Sequence, residues 1–94
     1  MNSDTLEFNI QKLNAQITIL NDIKDTIEQL NKRYIEYIDE RLVPNWTTDN
    51  GIVSIGRLRG FSERNIQDFI TYLNLRISNL KDDVTKYLNQ IEQA

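Results

Sequence analysis

Leucine and isoleucine recur along the chain at spacings of three and four residues, with polar residues between them. In the first half the apolar positions are Leu6, Ile10, Leu13, Ile17, Leu20, Ile23, Ile27, Leu30, Tyr34, Ile38 and Leu42. These spacings mark one face of an α-helix, with a change of phase between Leu20 and Ile27. The pattern predicts a helix over about 5–43. Asp4 is placed to cap its start, with Glu7 reaching back from the first turn. Arg41 falls late, where a cation complements the helix dipole. Pro44 ends the helix and disfavours helical geometry at Val43 before it.

The second half repeats the pattern more regularly. Ile66, Ile70, Leu73, Ile77, Leu80, Val84, Tyr87 and Ile91 alternate spacings of four and three for more than three heptads. This is the seam of a coiled coil, and it predicts a helix over about 62–93. Ser62 is a suitable N-cap, and Phe61 and Ile66 have the spacing of a hydrophobic staple. Phe69 and Leu88 widen the stripe, as they do when a helix packs on more than one neighbour.

Residues 44–61 join the two helices. This stretch holds the only Pro, the only Trp and all three glycines, Gly51, Gly56 and Gly60. It reads as a loop, although a structureless connection of this length is uncommon. The apolar patch Ile52, Val53, Ile55 and Leu58 suggests a turn of helix near Ser54–Leu58. The expected fold is therefore all-α, an antiparallel two-helix hairpin within one domain over 1–94.

One hairpin buries one seam. Ile19, Ile35, Tyr37, Phe69, Tyr72, Leu75 and Leu88 lie off it, and apolar surface on so small a protein marks an interface. Pairing into a four-helix bundle is the expected solution, through a homodimer or a different helical protein. The residues assigned to the interface are Ile17, Leu20, Ile27, Leu30, Tyr34, Ile38, Phe69, Ile70, Leu73, Ile77, Leu80, Val84 and Tyr87. Asn31 falls on the first stripe; it either sets register as a buried polar residue or faces solvent.

Composition narrows the chemistry. With neither Cys nor His among 94 residues, thiol nucleophiles, disulfides, Cys/His zinc sites and His-based triads are excluded. The net charge of −3 does not suit a general nucleic-acid binder, and none is expected as a partner. No apolar run approaches a membrane span, so no membrane insertion is expected. Met1-Asn2-Ser3-Asp4 has no basic start and no apolar core, so no cleaved signal peptide is expected. Adjacent carboxylates such as Asp82-Asp83 point apart on a helix and form no catalytic dyad. No catalytic residue, metal or cofactor is assigned, and the chain reads as a non-enzyme. Arg57, Arg59 and Arg64 are candidate partner contacts, because arginine offers a bidentate fork to anions. The alternative is a solvated loop whose arginines pair with Glu63, Asp68 or Asp49.

Trp46, directly after the helix stop and five residues before Gly51, caps the end of the hairpin core or presents a recognition surface at its tip. Two long helices with a Trp in the midpoint connection resemble the WXG (ESAT-6-like) small proteins of type VII secretion systems, and the related small helical partners of LXG toxins. The resemblance covers the layout of the whole chain and is specific at Trp46. The family's W-x-G motif has Gly where this chain has Thr48, and the first glycine here is Gly51. The family's Tyr-x-x-x-Asp/Glu export signal is matched only at its tyrosine, since Tyr87 is followed four residues later by Ile91. The resemblance implies a secretion substrate or a toxin-targeting partner, cytoplasmic before export and secreted without a cleaved signal peptide. Its partner would be a second copy or an LXG-type toxin domain. A phage or plasmid coiled-coil assembly or regulatory module is the alternative that the clean second seam supports.

Overall fold

A computed structural model describes residues 2–93, and the chain is an all-α helical hairpin. Helix α1 spans Ser3–Tyr37 and runs into a π-helical turn at Ile38–Leu42. A short turn follows, and then α2 at Asp49–Phe61, a second π-helical turn at Ser62–Ile66, and α3 at Gln67–Gln93. The described residues fall into two compact units. One combines the chain up to Lys24 with the chain from Tyr72 on; the other is Asp25–Thr71.

The ends of the elements differ from those expected. Asn2, not Asp4, caps α1: its Oδ1 accepts from Thr5 N–H at 2.8 Å. Val43 keeps helical angles despite preceding Pro44. Its N–H reaches back five residues to Ile38 O at 2.9 Å, and the Asn45 side chain donates to Arg41 O at 2.8 Å. These bonds outweigh the local steric bias against a helical residue before proline. Trp46 N–H closes the end on Leu42 O at 2.9 Å.

The segment read as a loop over 44–61 is helical from Asp49, so the second helical run starts well before residue 62. Thr48 is its cap: it is extended at ψ 163, and its side chain accepts from Gly51 N–H at 3.2 Å. Ser62 is therefore not a helix start but lies inside a π turn with helical angles. The three glycines of that segment all lie within α2, and no described residue has a positive φ. Packing overrides their poor intrinsic propensity here, since α2 lies against the Ile38–Leu42 turn. Gly51 has a steric task. A Cβ placed on it would stand 2.6 Å from the Trp46 ring and 2.6 Å from Trp46 O.

The unit containing both chain ends is held by Leu6, Leu73 and Ile77, all buried. Ile10, Leu13, Ile17, Leu20, Leu80, Val84, Tyr87 and Ile91 are half-buried around them. In the Asp25–Thr71 unit the buried side chains are Ile38, Ile70 and Ser62. Leu6, Ile10, Leu13, Ile17, Leu20, Lys24, Ile27, Asn31 and Tyr34 of α1, with Ile38 just beyond it, are buried or half-buried in alternating steps of four and three, and Asn9, Asn21 and Ile35 are half-buried beside that path. The change of phase inferred from apolar residues alone is thus absent. Two polar residues, Lys24 and Asn31, hold seam positions, while Ile23 and Leu30 stand one residue off the seam and are exposed.

Gly51 and Gly56 separate packing from propensity. A Cβ on Gly56 meets nothing within 4 Å. Gly56→Ala should raise stability by about 0.5–1 kcal/mol, the usual gain for replacing an unconstrained helical glycine. Gly51→Ala should lower it by about 1–3 kcal/mol, because backbone as well as ring must move. Urea unfolding followed by helical circular dichroism measures both; equal effects of one sign would contradict the Trp46–Gly51 contact.

Candidate interaction surface

Within the Asp25–Thr71 unit, α1 with the π-helical turn that follows it and the α2–α3 run are pinned by three polar contacts. Ser62 Oγ donates to Asn31 Oδ1 at 2.5 Å, and Ser62 is 4% exposed. Tyr34 Oη donates to Leu58 O at 2.6 Å. Arg59 forms an ion pair with Asp39. Where α2 ends, Ser62 N–H reaches three residues back to Arg59 O, and beside it Leu58 O accepts from the tyrosine hydroxyl.

Beside these contacts the unit leaves an open groove of about 310 Å³. Its walls are Ile27, Leu30, Asn31, Tyr34, Phe61, Ile66 and Phe69. Among the described residues no Asp, Glu, Lys or Arg lines it. Leu30 is 57% exposed, and Phe61 and Phe69 are also largely exposed. The Phe61 ring meets Tyr34 edge-on, with centroids 6.1 Å apart and planes at 69°. A groove of this kind offers desolvation and shape to an apolar side chain, and its one polar lining group besides the Tyr34 hydroxyl is the Asn31 amide.

The interface residues expected from sequence divide into two groups. Ile38, Ile70, Leu73 and Ile77 are buried inside the chain, so here they serve the internal seam rather than a partner. Ile17, Leu20, Ile27, Tyr34, Leu80, Val84 and Tyr87 are half-buried along that seam. Leu30 and Phe69 alone of the set face outward as exposed residues. Of the two readings of Asn31, the structure has the buried-side one, half-buried and bonded to Ser62. Phe61, whose spacing to Ile66 is that of a staple, is a wall of the groove. Its signal was its position eight residues before Phe69, two helical turns along one face.

The arginine cluster does not act as one group. Arg59 pairs with Asp39, a partner outside the set Glu63, Asp68 and Asp49. Arg64 folds back along its own helix, with Nε 3.4 Å from Gly60 O, and Arg57 is exposed. Trp46 and Gly51 do meet, across the Thr48 cap. Several exposed rings carry a cation from four residues on: Lys12 over Phe8 at 4.7 Å, Arg41 over Tyr37 at 4.6 Å and Arg76 over Tyr72 at 5.1 Å.

The Asn31–Ser62 layer makes a distinct energetic prediction. Asn31→Leu alone strands a buried hydroxyl and should cost about 1–3 kcal/mol. Adding Ser62→Ala should recover most of that loss, since removing both partners costs less than removing one. A double-mutant cycle in urea tests this; additive losses would place the two side chains apart. Scans against family models and searches of curated proteins and solved structures match nothing to this chain.

Proposed function

We propose that the chain is a non-enzymatic helical interaction protein of WXG-like type, acting as a type VII secretion substrate or as the targeting partner of an LXG-type toxin. The observation that carries this reading is the open apolar groove of the Asp25–Thr71 unit. It is bordered by Leu30, Phe61 and Phe69, three large apolar side chains left wet on a small protein. Such a surface suits an amphipathic helix that lays its apolar residues between two helices. The helical hairpin and the tryptophan in its connection agree with the WXG-like layout. Among the described residues no helix is long and apolar enough to cross a membrane.

In this reading the partner completes a four-helix arrangement, either as a second copy or as the helical domain of a toxin. Binding is by contact alone, with Leu30 and Phe69 as the anchors. Without the usual export tyrosine motif, the partner carries the signal. The neighbouring genes discriminate from a phage or plasmid assembly role: a membrane ATPase of the secretion system favours the first, and capsid or tail genes favour the second.

Mass measurement in solution, alone and mixed with the product of the adjacent gene, is the test. Association that Leu30→Glu weakens by tenfold or more, with helical content and melting unchanged, is the expected result. Leu30 is open to solvent, so the charge costs the fold little while a buried carboxylate would oppose the complex. A monomer at every concentration that also ignores the neighbouring protein overturns the proposal.

A further inference from the structure

Asn50 precedes Gly51, and this is the only Asn-Gly step in the chain. Such a step can modify itself. The main-chain nitrogen of the glycine attacks the asparagine Cγ; the new C–N bond closes a succinimide, the Cγ–Nδ2 bond breaks, and ammonia leaves. Water then opens the ring to aspartate or isoaspartate. Glycine favours the attack because it has no Cβ to shield its nitrogen and its backbone turns freely.

The structure governs this reaction in a specific way. Asn50 is exposed, so its amide is open to solvent. The nucleophile is held: Gly51 N–H donates to Thr48 Oγ1 at 3.2 Å, and Gly51 is buried beneath Trp46. Both residues lie in the first turn of α2, where helical geometry directs the nitrogen away from the preceding side chain. Attack therefore requires the cap to open. The product also matters. Isoaspartate inserts a methylene into the backbone one residue before the glycine, and the contact there is too tight even for a Cβ at 2.6 Å.

We propose that Asn50 is a self-modification site whose rate is set by opening of the Thr48 cap over Gly51, and that the isoaspartyl product cannot restore the Trp46–Gly51 contact. Each conversion adds one negative charge in the first turn of α2.

The full-length chain is incubated at mildly alkaline pH, and ammonia loss at Asn50 is followed by peptide mapping. The folded chain should react more slowly than the chain in urea. Thr48→Ala should react about fivefold faster than wild type, the change in open population expected for one lost cap. Ile77→Val loosens a buried residue of the other unit and should leave the rate within about twofold. Modified protein should show shifted Trp46 fluorescence. Equal rates for folded and urea-treated chains overturn the proposal. So does an Ile77→Val rate that matches Thr48→Ala, which would make global unfolding the gate, or an isoaspartyl product with unchanged Trp46 emission.

Discussion

Two helices laid side by side can hide one seam between them and no more, and that limit shapes this protein. The seam here is narrow, and few side chains are fully buried. Leu6, Ile38, Ile70, Leu73 and Ile77 are buried, and many of the other large apolar residues are half-buried or exposed. Hydrophobic burial alone then gives little discrimination between one register and the next. Something else must fix which turn of α1 faces which turn of the return run.

Polar seam residues supply that discrimination. Lys24 and Asn31 stand seven residues apart on α1, at equivalent positions of the heptad. Lys24 Nζ donates to Asn74 Oδ1 at 3.2 Å, and Asn31 takes the Ser62 hydroxyl. A slip by one heptad would bring Asn31 against an apolar neighbour and leave Ser62 unpaired, so wrong registers are penalised more than the right one is rewarded. Displacing the apolar residues by one position has a second effect. Leu30 moves out of the seam and into the wall of the groove, so the device that sets register also creates the exposed surface.

The all-α hairpin and its two stripes were legible from spacing, because periodicity reports burial directly. The path of the α1 seam was not. Counting only apolar residues selected Ile23 and Leu30 over Lys24 and Asn31, and so produced a false change of phase. A strict alternation of four and three would have passed through both polar residues. The helix over 49–61 was hidden for a different reason. Gly51, Gly56 and Gly60 have low intrinsic propensity, and their helical state depends on the Thr48 cap and on packing against Ile38–Leu42. The groove was half legible. Leu30 and Phe69 were named among interface residues, whereas Phe61 was drawn into a helix-start motif that the structure does not contain. The Asp39–Arg59 pair joins residues twenty apart, a distance at which sequence gives no pairing rule.

The two π-helical turns have a consequence for how the chain tolerates change in length. Seam residues there follow one another at four and again four, as in Tyr34, Ile38 and Leu42, and in Leu58, Ser62, Ile66 and Ile70. A turn closed by bonds five residues long absorbs one residue beyond the α-helical repeat. Each turn thus has the form of a single-residue insertion taken up without breaking the helix. Removing one residue from 62–66 and letting the turn revert to α would carry α3 on with its apolar stripe unbroken. An indel anywhere in the regular stretch of α3 would instead rotate all that follows by about 100° per residue and carry the stripe off the seam. Natural variation in length should therefore gather at 38–42 and 62–66, where the helix can absorb it.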